Sequence, residues 1–442
     1  MERATYRKAP LWLMAAASLA LGACDDGDDP GMDAGMEEEH DGGHMHEDDG
    51  GMDEGEITAG RLLIADHDAA EVTVVDLDDT TMTWNLTVEA PARLYGHDHS
   101  RYGYAAIGDE VQILSSGIVL ESHGDHYHVS KSDPAVLDDH FHDTVATTFV
   151  VHGEDAGRYA VAFDAVTGMD SAVTMLQERT LSAGTPSFVD VPLGAEFDGT
   201  AVVAFGHLIV THPGGDGVTL REIATPEDVE SAYDTQCPEI SGMAANEHGV
   251  FFGCDDGLLV LEHHTDHFDQ GHLDEPAGTA EGDRITTLRS SHRTEMLAGD
   301  WGQDLVIIDP EATEPFMVLD IPDAVNVLDF AIDMAGEHLI ALTDDGNLHR
   351  FELADGAAAG SPIAVLDGDD AVPPALAMGP GFAYVADPSA GHVVMIHLED
   401  WAEEGHLEVG GEPAYLAVVT VSPDYFGGHD HDHDDDHDHD HP

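Results

Sequence analysis

The chain has 442 residues, 42% of them hydrophobic, which is ample for a large buried core. It carries 90 Asp and Glu against 14 Lys and Arg, a formal net charge of −76, and its only lysines are Lys8 and Lys131. Such a surface excludes nucleic acid and anionic headgroups, which need a basic footprint, and attracts cations. The acidic excess runs through the whole chain and also suits a protein in high salt, where screening weakens self-repulsion. That accounts for the carboxylates and leaves the 31 histidines unexplained.

The first stretch, "MERATYRKAPLWLMAAASLALGACDDGDD", reads as an export signal. Arg3, Arg7 and Lys8 form a basic start, and Leu11 to Leu21 form a short apolar run. The run is too short for a bilayer-spanning helix, which needs about 20 residues. It ends in Leu21-Gly22-Ala23-Cys24, which resembles a bacterial lipobox; there the cysteine is lipidated and becomes the mature N-terminus. A plain secretory peptide with a chance cysteine is the alternative. Asp25 and Asp26 resemble an inner-membrane retention signal. Residues 1–24 are therefore expected to be a lipoprotein signal peptide with Cys24 as the lipidation site. The location expected is the bacterial cell envelope, on the periplasmic or cell-surface face, held by the N-terminal lipid alone.

Residues 25–56 are mostly Asp, Glu, Gly, Met and His, with almost no β-branched or aromatic side chains. They cannot bury enough apolar surface to offset ordering entropy and read as a disordered tether. Three histidines, His40, His44 and His46, lie in it beside Met32, Met36, Met45 and Met52, whose thioethers keep copper open beside zinc. Residues 427–442 are a second disordered tail, an alternation of Asp with His429, His431, His433, His437, His439 and His441. Both tails are expected to bind metal weakly and to raise its local concentration.

Between the tails a pattern recurs: an apolar run, a turn of the type D-x-x-G or D-D-G, and a second apolar run. "RLLIADHDAAEVTVVDL", "GVFFGCDDGLLVLE" and "EHLIALTDDGNLHRFEL" are three of eight such hairpin units. Their spacing of about 35 to 60 residues is close to that of propeller blades. The fold class expected is all-β, a β-propeller over residues 57–426, with eight blades favoured and seven allowed. The late strand Ala414 to Ser422 would close the ring against the first blade. A pair of β-sandwiches is the alternative fold. Cys237 and Cys254 are an even pair in an oxidising compartment, flanking "PEISGMAANEHGVFFG". A disulfide closing this loop of about 16 residues would stabilise by roughly 3 kcal/mol. A two-cysteine metal site is the other reading, without the usual Cys-x-x-Cys spacing.

The densest ligand stretch inside the folded region is "ESHGDHYHVSKSD". Gly124 permits a tight turn that points His123 and His126 the same way, and His128 shares a face with His126 once the chain straightens. Asp125 can ligate or orient an imidazole. Three imidazoles and a carboxylate make a tetrahedral zinc set. His152, and beyond it His97, His99, His140 and His142, are further candidates, while His207, His248, His263, His264, His267 and His272 read as surface residues. A solvated His/Asp loop that binds nothing specifically is the competing explanation. No nucleophile elbow, Walker A loop or H-E-x-x-H motif occurs, so no catalytic residue is assigned and the chain does not read as an enzyme.

Five segments carry a family resemblance: "SSGIVLESHGDHYHVSKSDPAVLD", "FVVHGEDAGRYAVAFD", "QCPEISGMAANEHGVFFGCDDGLLVL", "LAGDWGQDLVIIDP" and "FAIDMAGEHLIALTDDGNLHRFEL". Spread over most of residues 61 to 421, they resemble the AztD family of periplasmic zinc metallochaperones. The resemblance implies an eight-bladed propeller that binds Zn²⁺ and passes it to the solute-binding protein of a zinc ABC importer. It places His123, Asp125 and His126 on the family's H-G-D-H metal motif and His152 on a later histidine position. The segments "TPSFVDVPLG" and "CPEISGM" lack the histidines the resemblance leads one to expect, so a second family site is in doubt and His128 would compensate at the first. The function expected is that of an exported, monomeric zinc metallochaperone. The alternatives are a non-catalytic scaffold propeller whose histidines only buffer metal, and a zinc-dependent hydrolase.

Overall fold

The computed structural model describes residues 58–97, 99–122, 127–142, 146–154, 157–164, 170–194, 199–211, 217–233, 237–265, 267–276, 279, 282–319, 321, 325–366 and 372–421. The expected signal peptide, tether and His/Asp tail lie outside them. The described residues form eight four-stranded antiparallel sheets and one separate hairpin. The only helix among them is the five-residue Glu178–Ser182, and no helix among them is long and apolar enough to cross a membrane.

Each sheet is a blade with both faces covered, so its middle strands read as continuous apolar runs rather than as an alternation. The middle strand Gly249–Cys254 of blade 5 is buried at every position, and so is the innermost strand Ala201–Ala204 of blade 4. The D-D-G turns join such strands. After Asp255 and Asp256, Gly257 adopts φ +139° and comes so close to the Leu273 carbonyl that a Cβ would lie 1.9 Å from it. Only glycine fits there.

The eight apolar clusters correspond to the eight blade interfaces. Leu63, Val72 and Val74 of blade 1 pack on Leu94, Ala105 and Leu114 of blade 2. The last interface sets Ala377, Tyr384 and Val393 of blade 8 against Leu62, Ile64 and Val418 of blade 1. Blade 1 itself is made from both ends of the domain. Its innermost strand Pro413–Val419 pairs with Arg61–Asp66 in the register Arg61↔Val419, Leu63↔Ala417 and Ala65↔Tyr415. The ring therefore closes as the sequence led us to expect, with eight blades rather than seven.

Cys237 and Cys254 are joined by a disulfide and are fully buried in the cluster between blades 4 and 5. Replacing both with serine should lower the stability of the domain by about 3 kcal/mol, the loop-closure contribution, read as a lower urea midpoint. An unchanged midpoint would show that the crosslink adds nothing to blade packing.

The separate hairpin, Ile118–Ser122 and Tyr127–Lys131, is inserted between the third strand of blade 2, Glu110–Ser115, and the fourth, Ala135–Phe141. Its base is fastened to blade 1. Lys131 pairs with Asp76 at 2.8 Å and with Asp78. The Trp84 indole donates to Asp133 at 3.1 Å. Arg61, 1% exposed, donates to the Ser116 carbonyl, lies 3.6 Å from Asp76 and stacks on Trp84.

Candidate metal centre

The innermost strands line a central cavity of about 1580 Å³. In a propeller the innermost strands share one direction, so their C-terminal ends meet at one mouth, where in blades 2 to 8 the chain turns into the second strand of the blade. Four histidines gather there. His97 and His99 follow the innermost strand of blade 2, Arg93–Tyr95. His152 lies near the end of that of blade 3, Ala146–Glu154. His292 follows that of blade 6, Leu288–Ser291.

His99 Nε2 lies 2.9 Å from His292 Nε2 and 3.0 Å from its Nδ1. The His97 ring is 5.9 Å from the His99 ring and 6.3 Å from that of His152, between centroids. The network suggests the tautomers. Arg293 donates from Nε to His292 Nε2 at 3.0 Å, which leaves His292 Nδ1 as the donor toward His99. His97 Nδ1 accepts the backbone N–H of His99 at 3.2 Å.

The turn that carries His97 and His99 rests on buried polar groups. The Ser100 N–H donates to the His97 carbonyl at 2.9 Å. The Ser100 hydroxyl donates to Glu178 at 2.6 Å. Glu178, 4% exposed at the start of the short helix of blade 3, also accepts from the Tyr104 hydroxyl at 2.7 Å and from Arg158 Nε at 3.2 Å. Burial, and next the Glu178 charge, pushes the Tyr104 phenol well above its ordinary range, so it stays a donor.

Carboxylates and arginines share the cavity wall. Asp329, Asp333 and Glu247 line it with Arg289 and Arg293. Burial raises the Asp329 carboxyl above its usual range, although Arg289 and the N–H groups of Leu376 and Phe330 pull the other way. His263 also lines the cavity, stacked on Phe205 at 4.0 Å between centroids. Burial lowers its pKa, and His207, His264 and His267 lower it further, so it favours the neutral form.

Of the residues singled out from sequence, His97, His99 and His152 come together at this mouth. His123, Asp125 and His126 lie outside the described residues. His128 falls on the strand Tyr127–Lys131, and its side chain is likewise outside the description. The hairpin that flanks them leaves blade 2 at the end where the third strand finishes, which is the end that carries His97 and His99. His140 and His142 sit elsewhere. Their rings are 3.6 Å apart, and His140 Nε2 lies 3.7 Å from Glu110. They end the outer strand of blade 2, which runs away from the mouth, and they do not line the cavity. His292 was missed by the sequence reading, because a lone histidine in the turn "SSHRTE" has no local pattern to mark it. His263, read as a surface residue, reaches the cavity. The two-cysteine metal reading fails, because both thiols are consumed by the disulfide. This also removes Cys254 from its grouping with Asp256 and His272, in which His272 bonds Asp256 at 3.0 Å.

Comparison with known proteins found a zinc chaperone, AztD of Citrobacter koseri, 27% identical over 387 residues, covering 85% of this chain and 90% of that protein. The crystal structure of Citrobacter koseri AztD matches with a TM-score of 0.71 and 23% identity, over 83% of this chain and 98% of that one. The dihydro-heme d1 dehydrogenase NirN shares the fold at a TM-score of 0.54 and 10% identity, over 81% of this chain and 75% of that one. No family model matches the chain.

Proposed function

Since the chain is AztD-like, we propose that it is an exported zinc metallochaperone that holds Zn²⁺ as cargo at the mouth of the propeller and passes it to the solute-binding protein of a zinc ABC importer. The observation that carries the reading is the convergence of His97, His99, His152 and His292 from three blades at one mouth. Zinc bonds imidazole at about 2.0–2.1 Å, so two nitrogens of one tetrahedral site stand roughly 3.3 Å apart. The facing nitrogens of His99 and His292 are already close to that spacing. In this proposal His123, Asp125 and His126, with His128 beside them, add ligands from the neighbouring hairpin. The signal peptide of residues 1–24, the lipid on Cys24, the tether of residues 25–56 and the His/Asp tail after the domain complete an envelope-anchored monomer. Zinc is favoured because the similar protein is named a zinc chaperone, and a set of imidazole and carboxylate without thioether disfavours copper(I). The relative is named a chaperone and not an enzyme, and no catalytic role is proposed.

The chemistry also suggests how cargo leaves. Arg293 occupies one of the two His292 nitrogens that face His99, and its charge opposes a cation there. It is a built-in competitor. Arg293→Gln should tighten zinc binding about fivefold, the worth of roughly one hydrogen bond of about 1 kcal/mol, and slow release in proportion. Affinity that falls instead would assign Arg293 a supporting role. Delivery is tested by mixing the zinc-loaded chain with the metal-free solute-binding protein in the presence of a chelator that captures free zinc. Zinc that reaches the acceptor despite the chelator supports hand-over; zinc found only on the chelator leaves a binding protein without chaperone activity.

A further inference from the structure

The third and fourth strands of blade 5, Gly257–His264 and His267–Asp274, are joined by a hairpin turn at the same mouth. Their register sets Glu262 opposite Asp269 and His264 opposite His267. Residues two apart on a strand share a face, so these four side chains form one square on one face of the hairpin. One ligand atom from each of His264, His267 and Asp269 lies within 4.8 Å of the other two. His264 Nε2 is 3.4 Å from Asp269 and 3.6 Å from Glu262, and His267 Nε2 is 3.8 Å from Asp269.

The opposite face of the hairpin end is clamped. Phe268 is 6% exposed in the core between blades 4 and 5, and His263 is stacked on Phe205. Ligands on a fixed frame lose less entropy on binding than ligands on a free chain. We propose that Glu262, His264, His267 and Asp269 form a second metal site, with two imidazoles and two carboxylates suited to Zn²⁺ and similar borderline cations. It is separate from the central cluster and does not depend on the chaperone reading. The side chains of His264 and His267 are 41% and 57% exposed, so the site exchanges readily with solvent and holds metal more weakly than the central one. Its neighbour His263 reaches the cavity from the opposite face of the strand, while the four ligands project outward from the two outer strands of blade 5 and do not line the cavity.

Histidine modification by diethyl pyrocarbonate on the full chain, with and without zinc and read peptide by peptide, tests this. The expected result is that saturating zinc slows labelling of both His264 and His267 by at least about fivefold. His248, 47% exposed and paired with Glu295, is the matched control and should not change. Asp269→Asn should restore much of the labelling at both positions while leaving protection at His99 and His292 intact, which also shows that the variant is folded. Unchanged labelling of His264 and His267 under zinc would overturn the site. So would equal protection by magnesium, a hard cation that disfavours imidazole, because that would be charge screening. Protection at His99 and His292 is read in the same digest, so this site and the central one stand or fall separately.

Discussion

Replacing His292 with alanine should lower zinc affinity by roughly a hundredfold, and replacing His99 should do the same, while the fold is retained. Losing an orienting partner of a metal ligand already costs about ten- to a hundredfold, and a direct ligand costs at least the upper part of that range. The measurement is competition against a chelator strong enough to strip the tails, whose ligands must be ordered on binding and so hold metal weakly. His99 and His292 face each other across the mouth with nitrogens 2.9 Å apart, yet they come from blades 2 and 6. The two single variants and the double variant should therefore lose nearly the same affinity, because one ion needs both rings. Zinc retained equally by the double variant and the unaltered chain would move the cargo to the tails. The protein would then be an acidic scaffold that buffers metal.

Glu178→Ala should destabilise the domain by about 3–5 kcal/mol, because it removes the buried carboxylate that pairs with Arg158 at 3.2 Å. Their side chains are 6% and 7% exposed, so water compensates little. The same substitution removes the acceptor of the Ser100 hydroxyl and of the Tyr104 phenol. The turn that carries His97 and His99 then loses its footing, and zinc affinity falls although Glu178 touches no ligand. A double variant, Glu178→Leu with Arg158→Met, separates the two effects. Apolar side chains of similar volume should recover much of the stability, seen as a restored urea midpoint. Zinc affinity should stay low, since the Glu178 carboxylate that ties the Ser100 turn to blade 3 is still missing. Recovery of both together would make Glu178 a purely structural residue.

The blades were legible because a hairpin is a local object. The turns Asp255-Asp256-Gly257 and Asp344-Asp345-Gly346 each join two apolar runs a few residues apart, and turn chemistry fixes such pairing. The closing strand was legible from the unpartnered apolar run at the end of the repeats. The innermost strands were less so. Arg93–Tyr95 has three residues and Leu376–Gly379 has four, too few to establish a period. The sequence therefore favours eight blades but also allows seven. Among the candidate ligands, His97 and His99 stand out as a pair in "YGHDHSRYG". His292, alone in its turn, and His264 with His267, whose square needs the register of two strands, had no such mark.

The amino-acid sequence by itself determined the strand and turn units, the acidic character, the paired cysteines and the abundance of imidazole. Each of these is set by composition or by neighbours within a few residues. Only the closed ring decided which imidazoles meet. His99 and His292 are 193 residues apart, and they face each other because blades 2 and 6 both bring the ends of their innermost strands to one axis. Apolar contact between successive blades, summed around the circle, places them there, and no local pattern records that sum.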